Sequence, residues 1–390
     1  MAHNWPLMHD NIPRSDLDAL IAYLSADDPR LTHGPQVRQF EEAWADWVGV
    51  GHTVMVNSGS SANDLTMMAM RELYGQGEVL MSPLGWVSDV SSVVSAGLTP
   101  VFVDIDPVTL SVSANEVQQR IGDETRALLL VHILGLNGLS ESLVSTLAAS
   151  NVPLIEDVCE SHGATFQGQR CGSVGLASNF SFYYAHHLST IEGGAICTDS
   201  PEFADVCRML RSHGLVRESR DEAKRSDRVR EYPDLNPEFI FDFLARNNRP
   251  TELNGVLGLA QLPRLDENIE VRKRNFAHFM SAIDGQSYRN WFDVETSSNY
   301  AFIVVLQESD FAKRDRVEDT LREAGIEFRR GLSGGGSQLR QPYMRHVLPD
   351  VDPRDFPNTE HVHHFGWYIG NHPGITLQQV EALAELLNGV

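Results

Sequence analysis

Two adjacent histidines, His186 and His187, close the stretch Ser181-Phe182-Tyr183-Tyr184-Ala185, and Glu192-Gly193-Gly194 follows shortly after. Imidazole titrates near pH ~6.5, so it can take and return a proton at neutral pH. A histidine pair behind a strand is more commonly structural than catalytic, so its company decides its meaning. Asp157 closes the apolar run Val152-Pro153-Leu154-Ile155, and Glu160 stands three residues on. A carboxylate at a strand end can cap a helix, brace the chain or face a cation. Asn57-Ser58-Gly59-Ser60-Ser61-Ala62-Asn63 joins a strand to a helix start. Small residues there let backbone N–H groups and the helix dipole hold a phosphate, although a Ser/Gly turn capping a helix has the same composition. Trp86, in Pro83-Leu84-Gly85-Trp86, is either core or a flat surface for stacking. Arg249 and Arg329 are guanidiniums that can grip an anion or form surface ion pairs.

These residues need a scaffold, and the pattern around them predicts an α/β fold. Short apolar runs at Thr53 to Asn57, Glu78 to Met81, Pro100 to Asp104, Ala127 to Val131 and Val152 to Ile155 read as strands. Several are continuously apolar, as in a sheet buried on both faces. Helical patterns alternate with them, including Ser15 to Leu24, Val37 to Val48 and Ser61 to Tyr74. A long helical pattern from Thr251 runs past Pro263, which should break it. A strand at Tyr300 to Leu306, a helix at Arg314 to Ala324, a strand at Ile326 to Arg329 and a helix at Leu377 to Leu387 complete a smaller α/β domain. The division is expected near residue 250, giving parts 1–250 and 251–390. Residues 216–235 are arginine-rich without clear periodicity and are expected to form a mobile excursion. Gly334-Gly335-Gly336 is expected to be a flexible loop.

Composition narrows the function classes. The chain has 390 residues, 42% hydrophobic and 22% charged, which suits a globular protein of two domains. A net charge of −22 argues against sequence-independent nucleic-acid binding, which needs a basic face. No apolar stretch is long enough to span a bilayer, so no membrane role is expected. Met1 to Trp5 lack the basic and apolar regions of a signal peptide, and four dispersed cysteines make no disulfide framework. A cytoplasmic setting is expected. Metal is not: His361, His363 and His364 have no partner pattern, and the cysteines are not grouped for an iron–sulfur cluster. Only three lysines occur, Lys224, Lys273 and Lys313, all in charged contexts expected at the solvated surface.

The His186 segment and Ile155-Glu156-Asp157-Val158-Cys159-Glu160-Ser161-His162-Gly163-Ala164 together resemble the core signature of the DegT/DnrJ/EryC1/StrS family of pyridoxal-phosphate (PLP) sugar aminotransferases. The resemblance covers essentially the whole chain. It implies the aspartate-aminotransferase-like fold (PLP fold type I), with a mostly parallel central sheet and a smaller C-terminal α/β domain. The family has a lysine at position 186, six before Glu192, and that lysine tethers the cofactor. Imidazole has no primary amine, so the resemblance implies PLP or pyridoxamine phosphate (PMP) bound non-covalently, with His186 moving protons. It assigns Gly59, Ser60, Ser61 and Ser181 to the cofactor phosphate, Asp157 to the pyridine nitrogen, Glu160 to the ring hydroxyl region and Trp86 to the ring face. Asn247 matches an asparagine that reaches the partner subunit's phosphate, and Arg249 an arginine that grips a carboxylate of glutamate. The Gly-Tyr usual before them is replaced by Ala245-Arg246. His213, in Arg211-Ser212-His213-Gly214, is a second polar candidate near the sugar, and Arg329 a second anion ligand.

A dehydrating branch of the family carries the same His-His pair. The implied activity is therefore a 3-dehydratase of a nucleotide-linked 4-keto-6-deoxyhexose, serving 3,6-dideoxysugar synthesis. L-glutamate would regenerate PMP, and a homodimer would share its active sites. A nucleotide-sugar 4-aminotransferase and an inactive cofactor- or sugar-binding homologue are the alternatives. The nucleotide base is not legible in the sequence.

Overall fold

The computed structural model describes residues 5–390. Its strands are β1 (His52–Val56), β2 (Glu78–Met81), β3 (Thr99–Phe102), β4 (Thr125–Val131), β5 (Leu154–Asp157), β6 (Thr165–Phe166), β7 (Gln169–Arg170), β8 (Ala177–Ser181), β9 (Gly194–Thr198), β10 (Ala301–Val305), β11 (Phe328–Arg330) and β12 (Gly366–Gly370). Seven of them form the central sheet in the order β1-β9-β8-β5-β4-β2-β3. β3, β2, β4, β5 and β8 run parallel, and β9 runs antiparallel to both β8 and β1. The apolar runs alternate between two cores. Val54, Val79 and Leu129 face one layer of helices, while Met55, Leu80 and Leu128 face the other. Burial on both faces is why these strands read as unbroken apolar segments.

A second antiparallel sheet, β10-β12-β11, packs under the helices Leu265–Ala282 and Leu377–Asn388 around Phe276, Phe302, Trp367 and Leu383. The helical pattern from Thr251 breaks where expected. Glu252–Gln261 ends in a 3-10 turn, Leu262–Arg264, holding Pro263, before the helix Leu265–Ala282. Gly255 and Gly258 let Glu252–Gln261 lie close against Val37 and Phe40 of the helix Pro35–Val48.

Two expectations are corrected. Residues 216–235 contain a helix, Glu222–Glu231, capped by Asp221, whose Oδ1 accepts N–H bonds from Ala223 at 2.9 Å and Lys224 at 3.1 Å. None of its residues is buried, so no apolar stripe marks it, and ion pairs such as Arg228–Glu231 supply local support. The glycine run is not a free loop either. Ser333–Gly335 is a 3-10 turn, Leu84 bridges Ser337, and Gln338 Nε2 donates to Gly85 O at 2.8 Å. The turn thereby joins the small sheet to the loop after β2. Among the described residues no helix is long and apolar enough to cross a membrane.

Candidate active site

The ends of β4, β5 and β8 face the small sheet across a cavity of 660 Å³. Gly59, Ser60, Trp86, Asp157, Glu160, Ser181, His186 and Arg329 all line it. Strand β5 carries two buried acids that point to opposite sides of the sheet. Glu156 accepts N–H bonds from Gly172 (2.8 Å), Val174 (3.0 Å) and Gly175 (2.8 Å) and meets His132 Nε2 at 3.1 Å. It thus ties down the loop that leads into β8. Asp157 faces the cavity.

Ser58 caps the helix Gly59–Tyr74, its Oγ accepting the N–H of Ser61 at 3.0 Å. Ser61 is therefore turned into the cap, while Gly59 and Ser60 reach the cavity. A Cβ on Gly59 would stand 2.6 Å from Ser181 Cβ and 3.0 Å from Cys159 Sγ. Only glycine lets this helix start close on the end of β8, with its N–H groups beside the Ser181 hydroxyl. That donor set suits a phosphate. Asp157 suits a protonated ring nitrogen, and Trp86, 51% exposed on the cavity wall, offers a flat face. The residues present therefore fit pyridoxal phosphate. Gly59→Ala should cost about 1–3 kcal/mol of overpacking, or about ten- to hundredfold in PLP affinity. An absorbance titration of the refolded variant, with circular dichroism as control, measures it.

Asp157 accepts from Cys159 N at 2.9 Å and from Asn63 Nδ2 at 2.8 Å. The same Asn63 nitrogen donates to Asp89 Oδ1 at 2.9 Å, and Asp89 Oδ2 accepts from Trp86 N at 2.8 Å. Asp89 is 1% exposed, and burial, then the neighbouring Asp157, push its carboxyl well above the ordinary range. That direction favours the protonated form of Asp89. Sequence reading missed Asp89. Its only signal was an acid three residues into a helix, where it caps Trp86.

The two histidines part company. His187 is buried, with Nε2 at 3.0 Å from Ser298 O, so the structural reading holds for it. His186 lines the cavity, and its Nδ1 lies 3.0 Å from Ser181 O. A carbonyl can only accept, so Nδ1 carries the hydrogen and Nε2 keeps its lone pair. Burial holds His186 down to about 4, against weaker upward pulls from the Ser181 carbonyl and Asp157. It is a neutral base at physiological pH. Glu160 moves the other way, to about 7, because burial outweighs the hydrogen bonds from Leu134 N and Ser333 Oγ, both 3.1 Å. Ser333, Tyr300, Tyr368 and Glu327 also reach the cavity and were not foreseen. They come from distant segments with no shared motif. Arg329 is held by Glu327 at 2.7 Å.

Three expected residues lie elsewhere. His213, Asn247 and Arg249 do not line this cavity. Ser212 pairs with Asn247 in a bridge, His213 N donates to Arg246 O at 2.8 Å, and Asn247 Oδ1 accepts from Arg249 N at 3.2 Å. The three lysines are also outside it, though half-buried rather than fully solvated. Lys224 lies near Asp205 at 3.9 Å, Lys273 near Glu270 at 3.8 Å, and Lys313 Nζ donates to Ser287 at 2.8 Å.

The DegT/DnrJ/EryC1/StrS aminotransferase family profile matches residues 15–388. A GDP-4-keto-6-deoxy-D-mannose 3-dehydratase of Yersinia pseudotuberculosis is 29% identical over 98% of both chains. A GDP-perosamine synthase of Caulobacter vibrioides is 33% identical over 92% of this chain and 90% of its own. The solved structure of the Escherichia coli GDP-4-keto-6-deoxy-D-mannose-3-dehydratase with bound hydrated PLP has a TM-score of 0.90 at 28% identity, covering 99% of this chain and 100% of that one. With the profile matched over residues 15–388, the chain belongs to the DegT/DnrJ/EryC1/StrS aminotransferase family.

Proposed function

We propose that the protein is a PLP/PMP-dependent 3-dehydratase of a nucleotide-linked 4-keto-6-deoxyhexose, with a GDP-linked sugar the first substrate to try. The observation that carries this is His186, a base that lines the cavity with its Nδ1 on Ser181 O and its Nε2 lone pair left over, at the position where the resemblance puts the family's lysine. When bound, the cofactor supplies an amine for the sugar ketone and an electron sink for the bond-breaking that follows. Gly59, Ser60 and Ser181 hold its phosphate, with Ser61 completing the capped turn. Asp157 keeps its ring nitrogen protonated, Trp86 covers its face, and Glu160 stands toward the ring hydroxyl. His186 removes a proton at Nε2 and returns it to the departing C3 oxygen. A neutral imidazole and a carboxyl near neutrality lining the same cavity give the site a base and an acid.

The overall change is balanced by L-glutamate. The keto sugar loses its C3 oxygen, glutamate becomes 2-oxoglutarate, and ammonia is released. Arg329 and, from a partner, Arg249 are the anion ligands for glutamate or substrate. We further propose a homodimer in which Asn247 of one chain completes the phosphate site of the other, with His213 approaching the same sugar. Phe239, Phe241 and Leu244, the last 99% exposed, lie just before Asn247 and form an apolar face for that contact. In this reading residues 1–250 supply the cofactor cradle and 251–390 the opposing wall.

The test is product analysis. Protein, PLP, glutamate and a GDP-linked 4-keto-6-deoxyhexose should give ammonia and a 3-deoxy sugar. The kinship to GDP-perosamine synthase favours a second reading, a sugar 4-aminotransferase, and a 4-amino sugar as main product would select it over dehydration. Cofactor binding without turnover would select an inactive homologue.

A further inference from the structure

Away from the cofactor cavity lies a second hollow, of 320 Å³, whose wall contradicts the charge of the whole molecule. The chain carries 53 acidic residues against 31 basic ones, yet this wall holds six arginines and only two glutamates. One glutamate is already spent. Glu41 takes Arg211 Nη1 at 2.6 Å, and the same guanidinium donates to Met55 O at 2.8 Å. Arg220 comes no nearer than 4.0 Å to that engaged carboxylate. The other glutamate, Glu218, lies 3.8 Å from Arg217.

Arg208 is the decisive residue. It is 5% exposed, its Nε has no hydrogen-bond partner, and it forms no ion pair among the described residues. Burial and then the nearby Arg220 push its guanidinium down to about 10. The last turn of the helix Pro201–Arg211 favours a cation there, but a helix dipole does not fill guanidinium N–H groups. A buried charge left without a partner is among the costliest arrangements a fold can hold. Beside it, His33 also has a buried nitrogen, Nε2, without a partner.

We propose that this hollow binds a phosphate- or diphosphate-bearing anion, gripped by Arg208, Arg220 and Arg38. The three come from separate segments, the helix ending at Arg211, the turn after Glu218 and the helix Pro35–Val48. A single carboxylate would neutralise one of them. A phosphoryl group offers enough oxygens for several bidentate forks, and 320 Å³ accommodates it. The anion could be free phosphate or nucleotide, or the diphosphate of a nucleotide sugar seated in a partner's cavity. The hollow is tied through the backbone to the segment proposed to reach the partner: Asn248 N donates to Arg211 O at 2.9 Å, and Asn57 N donates to Asn248 O at 3.1 Å. Binding of the anion itself does not rest on the dehydratase reading.

Calorimetric titration of the PLP-saturated protein, whose phosphate cradle is filled, with inorganic pyrophosphate tests this. Binding should weaken steeply with salt. Arg220→Gln, at an exposed position, should weaken it about tenfold, and Arg208→Gln by more, as losses of charge-assisted hydrogen bonds. PLP titration and circular dichroism on the same variants report cofactor site and fold separately. If the diphosphate is the substrate's own, pyrophosphate competes with nucleotide sugar and Arg220→Gln raises KM at unchanged kcat. If the anion is free, pyrophosphate binds without competing and KM stays put. Absence of pyrophosphate binding to the unaltered protein, or equal binding by Arg220→Gln, overturns the site.

Discussion

His186→Asn should lower the rate of 3-deoxy sugar formation by about 10²–10⁴-fold, the usual share of a positioned general base. Asparagine can keep the hydrogen bond to Ser181 O, so the loop after β8 and the phosphate cradle should stay in place and PLP should still bind. His186→Lys should instead give a cofactor linked covalently to the chain and trapped by borohydride, seen by mass spectrometry at that residue. Failure to trap it would mean that position 186 does not face the cofactor. The unaltered enzyme should also show an unusual pH profile. Burial holds His186 near 4, below the ~6.5 of a free imidazole, so its basic form survives as the pH falls through that interval. The acid limb of kcat/KM should therefore lie below pH 6.5. The same sign governs stability. His33, His363 and His372 are likewise pushed down to about 4, chiefly by burial. Unfolded chains bind protons there before the native state does, so stability present above ~6.5 should drain away as the pH drops toward 4. Thermal melts across that window check it.

Much of the cradle was legible because each part is a local device. A strand running into Ser58-Gly59-Ser60, an acid closing β5 and a histidine five residues past Ser181 are all contiguous motifs, and the cavity does collect them. The buried sheet was legible for the same reason, since strands covered on both faces leave unbroken apolar runs. What escaped was produced by packing. Tyr300, Glu327, Ser333 and Tyr368 reach the cavity only because the small sheet folds over it. The helix Glu222–Glu231 escaped because it buries nothing and so writes no periodicity. His186 and His187 are neighbours in sequence with opposite fates, and only the turn after β8 decides which faces the cavity. Asn247 and Arg249 lie outside the cavity, so their assignment rests on the resemblance alone.

Asp157→Asn should cost about 10²–10³-fold in turnover, comparable to losing a preorganised electrostatic contact in a buried site. Asp89→Asn should cost about tenfold or less, although the two acids share the Asn63 amide at 2.8 and 2.9 Å. The asymmetry follows from the burial of Asp89, which with the adjacent Asp157 pushes its carboxyl well above the ordinary range and favours its neutral form. Replacing a neutral acid with a neutral amide removes no charge, only the fit of hydrogen bonds to Trp86 N and Asn63, about 1 kcal/mol each. In the proposed reading Asp157 supplies the charge for the ring nitrogen, so the bound cofactor's absorbance should shift in Asp157→Asn and hold steady in Asp89→Asn. In the double variant the Asp89 effect should shrink, since its neighbour no longer needs a donor. Equal losses from the two single changes would mean that Asp89 carries charge, and its neutral form would have to be abandoned.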